Sequence, residues 1–397
     1  MYDPAGHRSP NPAFLWPALL AAVTSEMAAA AAKQFTDLAV GPYGEPGREP
    51  QWTTPHTIAL ELETVRLRDF GRAERKGPAT LLCAPYALHG AAITDLAPGY
   101  SLVAALRQAG LGLLFVTDWR SADAHMRSLG IDDYLADLNV LVDEVGGPVD
   151  LIGLCQGGWM ALIFAARFPA KVRKLVLAGA PIDTAAGSSA LTALAAGSPL
   201  AMFQELVRLG DGILPGQKVL KFWGPDSVPA KDVREILQSK EVIDSPAFAQ
   251  LNALFQNWYA WTVDLPGRFF LQSVEKLYKR NELAIGSFVA LGHKIDLGAV
   301  RIPMFLVAAR DDELVSPAQL FAVEHLAGTP THDLRKALTS GRHIGLFAGK
   351  RTLEDVWPRI VHWLGEGSLI ASKNEHAREP RHESDKLSHV HLDLNQR

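Results

Sequence analysis

The stretch Leu151–Leu162, LIGLCQGGWMAL, decides how this chain is read. With Val149 and Asp150 before it, LIGL continues an apolar run of the kind found in buried strands, and WMALIFAARF (Trp159–Phe168) has helical spacing. A strand that turns at once into a helix bends tightly and holds the residue at the bend in a strained conformation, side chain forward. Here that residue is Cys155. Gly153 and Gly157, two positions before and two after, are small where the backbones must pass, and Gly158 adds room. The helix N-terminus then aims at the cysteine, where its dipole and free N–H groups favour a thiolate. The N–H of Gln156 is placed to bind a developing oxyanion. The competing reading is a small buried core cysteine.

A nucleophile of this kind needs a base, and the base an orienting acid, in the chain order nucleophile, acid, base. Asp311 and Asp312 stand where the strand-like run Ile302–Asp312 ends; Asp312, deeper in the loop before ELVSP, is the better candidate. Of the later histidines, His325 and His362 lie in helical text and His332 opens a strand. His343 follows TSGR in a loop and precedes IGLF, as a catalytic base should. The second oxyanion donor should come from the loop after the strand Ala79–Pro85, at Tyr86 or Ala87. His89 in that loop breaks the acid–base order and is placed as a pocket residue, together with Trp159, Trp258 and Trp261.

Sulfur in place of oxygen also bears on the chemistry. An acyl group moving from a thioester to a cysteine remains a thioester, so the exchange is close to isoenergetic, and a thiolate attacks without full general-base help. The cysteine thus tilts the reading toward acyl transfer without excluding hydrolysis.

Around this motif the text alternates. Thr64–Phe70 suits an outer strand, Ser101–Gly110 a helix, Leu111–Trp119 a strand. Ile131–Gly146 is a helix with Leu135, Leu138, Leu141, Val142 and Val145 on one side, and Lys174–Pro181 is again a strand. Such alternation predicts a parallel sheet covered on both faces. From 185 to 297 the pattern turns helical, with aromatics bunched in NWYAW (Asn257–Trp261), and the strand rhythm resumes at Ile302–Asp312 and His332–Leu338. A helical insertion in an interrupted sheet is expected to cap the active site. The resulting division is 1–58 N-terminal helix (Pro17–Phe35) and linker (36–58), 59–184 first part of the core, 185–297 cap, 298–366 second part of the core, 367–397 disordered tail.

Composition agrees with a folded α/β protein: 397 residues, 48% hydrophobic and 21% charged, with a net charge of −4. No basic stripe with interleaved aromatics points to nucleic acid. Two cysteines, Cys83 and Cys155, are too few for a disulfide framework, so a reducing, cytoplasmic setting is expected. The apolar run Ala13–Val23 falls short of the ~20 residues a bilayer span needs, and its flank, with one arginine, one aspartate and three prolines, is weak for a signal peptide. Walker A, G-x-G-x-x-G and firm metal-ligand spacings are missing; the tail histidines, His389 and His391 among them, suit a solvated segment.

From Thr64 to Leu364 the chain resembles the polyhydroxyalkanoate synthases, most closely the short type (class III) that works with a separate small subunit. The resemblance rests on LIGLCQGGWMALIFAARFPAKVRKLVLAGAPID, a lipase-box-like segment with cysteine for serine, and on FVTDWRSADAHMRSLGIDDYL, LYKRNELAIGSFVALGHKIDLGAVRIP, ARDDELVSP and GRHIGLF. It implies an α/β-hydrolase fold, mostly parallel sheet with a helical cap. It implies Cys155 as carrier of the growing acyl chain, His343 as base for the thiol and the incoming hydroxyl, and Asp312 as acid. The implied substrates are 3-hydroxyacyl-coenzyme A esters, coenzyme A being part of the substrate with no bound cofactor or metal, and the implied product is an intracellular polyester with granules as a surface to occupy. A homodimer or a small partner subunit would be the protein partner. Two positions depart from the family pattern: Glu313 stands where a histidine follows the acid, and Arg342 where a glycine precedes the base. Intracellular polyhydroxyalkanoate depolymerases share the fold and the cysteine, so ester or thioester hydrolysis with the same triad is the alternative. A granule-binding protein with a relic site is a third reading.

Overall fold

The computed structural model describes residues 47–72, 77–223 and 228–366. The expected helix Pro17–Phe35, the first part of the linker and the tail with His389 and His391 lie outside the described residues. Eight strands form the main sheet: β1 (Thr57–Glu61), β2 (Val65–Asp69), β3 (Thr80–Cys83), β4 (Leu114–Trp119), β5 (Val149–Leu154), β6 (Val172–Ala178), β7 (Met304–Ala309) and β8 (Leu334–Thr339). Their order is β1-β2-β4-β3-β5-β6-β7-β8. The pairs β1–β2 and β2–β4 are antiparallel and every later pair is parallel.

The central strands are buried on both faces, and period-two alternation sorts their side chains into two cores. Leu81, Leu151, Leu175, Leu177 and Leu306 enter one core with α2 (Ile131–Glu144) and α3 (Gln156–Arg167). Leu82, Ile152, Leu154, Val176 and Val307 enter the other with α1 (Leu102–Gln108) and the last described helix, Trp357–Gly365. Helix α1 starts where the Ser101 hydroxyl accepts the Ala104 N–H.

Two expectations about the sheet need correction. Thr64–Phe70 is not the outer strand: β2 sits between β1 and β4, and β1 forms the edge. β1 falls across the expected linker boundary at 58. Four of its five residues are exposed, so it buries little apolar surface beyond Leu60 and leaves no periodic trace in the sequence.

Between β6 and β7 the chain leaves the sheet and builds α4 (Ala190–Gly197), α5 (Leu200–Leu209), α6 (Gly216–Trp223), α7 (Ala230–Ile236), α8 (Pro246–Ala260) and α9 (Gly267–Ser273), which runs on into a π-helical turn, Val274–Lys279. Two small antiparallel ladders also lie here, Ile213–Leu214 with Leu265–Pro266 and Val289–Ala290 with His293–Lys294; neither is visible in the helical text. A third core joins Ile236, Phe248, Phe255 and Trp258 of the insertion to Ile93 and Tyr100 of the sheet domain. Both ends of the insertion are tied down. Asn281 donates to Asp183 at 2.8 Å, Thr184 donates to the Leu277 carbonyl at 2.5 Å, and the Ala190 N–H donates to the Glu313 carbonyl at 3.0 Å.

Candidate active site

β5 ends at Leu154 and α3 begins at Gln156, leaving Cys155 alone at the bend with φ 48° and ψ −118°. A non-glycine residue in this region is strained, and the neighbours hold it there: the Cys155 N–H donates to Ala178 O and its carbonyl accepts the Gly158 N–H, both at 2.9 Å. The three flanking glycines are required by close approach. A Cβ on Gly157 would sit 2.3 Å from the Cys83 carbonyl oxygen, one on Gly153 2.6 Å from Gly158 Cα, and one on Gly158 2.3 Å from Ala180 Cβ. Cys155 is 8% exposed.

The loop after β7 carries the candidate acid. Asp312 Oδ1 accepts the N–H groups of Leu314 and Val315 at 2.9 and 2.8 Å, which locks the carboxylate and turns Oδ2 inward. Asp311 beside it is exposed. The loop after β8 delivers the base: His343 Nδ1 lies 2.7 Å from Asp312 Oδ2, with both side chains buried. The carboxylate accepts, so Nδ1 carries the proton and Nε2 is left for other work. Burial alone would lower the imidazole's pKa. The Asp312 charge, a charge on Cys155 and hydrogen bonds to both side chains together outweigh it, and the ring is held well above its ordinary value. Cys155 is within reach of the ring, while Nε2 is buried without a well-aligned hydrogen bond. Catalytic hydrogen bonds of this kind commonly tighten only when substrate is present. His325, His332 and His362 are all exposed. Sequence order and fold therefore bring together Cys155, Asp312 and His343.

Cys155 and His343 open into a cavity of about 330 Å³ under the insertion, within the range of small-molecule sites. Its walls are mostly apolar, Leu194, Phe203, Phe255 and Trp258 among them. Gln156, Tyr86 and Ala87 line it beside the cysteine. As first residue of α3, Gln156 has an N–H without an intrahelical acceptor. Tyr86 can offer only its backbone: its hydroxyl donates to the Arg120 carbonyl at 3.2 Å and its ring packs on Tyr134 and Phe269. His89 lines the cavity against Trp258 and Tyr259, with ring centroids 4.8 and 5.1 Å away. Burial lowers its pKa to about 4, against the raising effect of the Trp261 carbonyl, so it is a neutral wall residue.

Two expected pocket residues lie elsewhere. Trp159 is fully buried behind the elbow, its ring near Phe269 and its indole N–H donating to Gln156 Oε1 at 2.5 Å. On a helix a side chain leans back over the preceding turn, which here carries it into the core rather than the cavity. Trp261 follows α8 and contributes its carbonyl to His89 while its ring stays off the cavity wall.

The sequence reading missed two residues. Tyr278, on the π-helical turn, accepts a hydrogen bond from Gln156 Nε2 at 2.9 Å and lines the cavity. Burial raises its pKa, charge on Cys155 adds to that and the Gln156 bond opposes it, so its hydroxyl keeps its proton beside the sulfur. Gly179, just past β6 with φ 57°, lies against the His343 ring. A glycine at a strand end is a legible signal for the second; nothing in a helical pattern marks the first.

Among solved structures, epoxide hydrolase A from Mycobacterium thermoresistibile matches with a TM-score of 0.51 and 17% identity over 79% of this chain and 99% of that one, which establishes the fold. Fold and elbow together give an α/β-hydrolase fold with Cys155 at the strand-to-helix bend. A family model described as PHB de-polymerase C-terminus matches residues 233–367. Two poly(3-hydroxyalkanoate) polymerase subunits are similar along most of the chain. That of Haloferax mediterranei is 24% identical over 79% of this chain and 64% of its own length; that of Allochromatium vinosum is 27% identical over 69% and 77%. The chain is thus similar to these polymerase subunits along most of its length, and to the depolymerase family model over residues 233–367.

Proposed function

We propose that this protein is an acyltransferase that polymerises 3-hydroxyacyl units from coenzyme A thioesters through a thioester on Cys155. The observation that carries it is the buried chain Asp312–His343–Cys155 at an elbow whose relatives are polymerase subunits. In the first half-reaction the Cys155 proton passes to His343 Nε2 and sulfur attacks the acyl carbon. The oxyanion faces the Gln156 N–H and a backbone donor at Tyr86 or Ala87. The bond to the coenzyme A sulfur breaks, and that sulfur takes the proton from the imidazolium. In the second, a hydroxyl of another unit gives its proton to Nε2 and its oxygen attacks the Cys155 thioester. An ester forms, and Cys155 leaves and recovers the proton. Asp312 keeps the ring oriented and offsets its charge. The apolar cavity favours an acyl chain and excludes the water that would divert the intermediate to hydrolysis.

Hydrolysis is the second reading. The family model over 233–367 is named for a depolymerase, and Glu313 and Arg342 bring charge to the acid and base loops. Purified protein given 3-hydroxybutyryl-coenzyme A separates the two. The polymerase reading requires thiol release with oligoester as product; thiol release with free acid alone supports hydrolysis and overturns polymerisation. Among the described residues no single helix is long and apolar enough to cross a membrane. Association with polyester granules, a cytoplasmic setting and a homodimer or small partner subunit belong to this proposal.

A further inference from the structure

The residue after the acid is Glu313, which lines the cavity. Among the described residues lining that cavity it is the one Asp, Glu, Lys or Arg side chain. Oε1 lies 3.6 Å from Arg342 Nε, with the two side chains 19% and 11% exposed, while Oε2 is buried and has no hydrogen-bond partner. The Glu313 carbonyl accepts the Ala190 N–H at 3.0 Å, so the residue is clamped between the acid loop and the first helix of the cap. A carboxylate held in an apolar wall with one oxygen unsatisfied is costly unless an O–H or N–H donor meets it. Alkyl chains and the thioester group bring no such donor. The hydroxyl of a hydroxyacyl unit does.

We propose that Glu313, oriented by Arg342, is the acceptor for the alcohol O–H of a hydroxyacyl unit in the cavity, and so makes the site select hydroxyacyl over plain acyl substrates. This rests on the acyl-transfer reading of the same cavity. A site built to bond a hydroxyl rejects the analogue that lacks it far more strongly than an apolar wall could, because the site's own polar group is then left unpaired. Glu313 is here a specificity residue, with no proton to transfer.

The test compares 3-hydroxybutyryl- and butyryl-coenzyme A as acyl donors, following acylation of Cys155 by intact mass. The same pair as non-reactive thioether analogues is titrated against Cys155→Ala by calorimetry. Glu313→Leu should lose at least tenfold in kcat/KM and in affinity for the hydroxylated member, with the butyryl member changed less than threefold. Glu313→Gln, which keeps an acceptor oxygen and nearly the same shape, should retain part of the preference. Equal losses for both members, or wild-type protein with no preference in the calorimetric arm, would overturn the proposal. Failure of both thioesters to acylate wild-type protein would instead overturn the acyl-transfer reading, and the binding ratio would still decide the role of Glu313.

Discussion

Gly179 and His343 are packed so closely that a Cβ on the glycine would lie 3.0 Å from imidazole Cε1 and 2.8 Å from Leu346 Cδ1. The end of β6 is thus the floor on which the His343 ring rests, and its φ of 57° lies in the left-handed region that favours glycine. Gly179→Ala should cost about 1 kcal/mol or more through the backbone. It should also move the ring, so activity should fall at least tenfold in protein that still melts cooperatively. Full activity in that variant would show that the ring's seat is not set here.

The elbow glycines should respond differently. Gly157→Ala drives a methyl group to 2.3 Å from a backbone carbonyl in a neighbouring strand, which cannot move aside as a side chain could. Loss of soluble folded protein, or a marked fall in melting temperature, is expected from differential scanning calorimetry.

Asp312→Asn removes the charge that most strongly raises the His343 pKa. Activity should drop by roughly 10³- to 10⁴-fold through loss of tautomer and orientation. The limb of the pH–rate profile that reports the imidazole should move to lower pH. Stability follows by linkage. A group whose pKa is raised in the folded state contributes stability that is complete below its unfolded value, about 6.5, and is lost as pH rises through the folded value. The difference in stability between wild type and Asp312→Asn should therefore be largest near pH 6 and shrink toward alkaline pH, measured by urea denaturation across pH.

The two cysteines should differ in reactivity. Cys83 is fully buried, and burial raises its pKa to about 12 against the lowering effect of a Thr117 hydrogen bond. Cys155 lines the cavity. Iodoacetamide should label Cys155 and abolish activity, while Cys83 stays unmodified until the protein is unfolded; peptide mass mapping reads this directly. Rapid labelling of Cys83 in the folded state would contradict the burial assigned to it.

Tyr278→Phe should leave the fold intact while removing both the acceptor for Gln156 Nε2 and a hydroxyl beside the sulfur. An ordinary hydrogen bond contributes about 0.5–1.5 kcal/mol, so kcat should fall about twofold to tenfold with KM less affected. An unchanged kcat would reduce Tyr278 to a packing residue.

Most of what positions Cys155 was legible because it is local. Gly153, Gly157 and Gly158 are small for reasons a few residues away, and the apolar run before them reads as a buried strand by itself. Asp312 and His343, which the fold pairs at 2.7 Å, could be picked out from Asp311 and the other histidines because both stand in loops after strand-like runs. The misplaced residues depend on direction rather than spacing. Trp159 and Trp261 are aromatic and near the site in sequence, yet one turns into the core and the other leaves the cavity to its carbonyl. Tyr278 reaches Gln156 across 122 positions of chain, a contact that only the folding of the cap creates. β1 was hidden because an exposed edge strand needs no apolar face.

Mass spectrometry of the Cys155 peptide after exposure to 3-hydroxybutyryl-coenzyme A tests the central claim most directly. The account predicts a thioester adduct on Cys155 that lengthens by whole hydroxyacyl units as substrate is consumed, and none in His343→Ala. Coenzyme A release with Cys155 unmodified throughout, or a stable adduct on another residue, would contradict it.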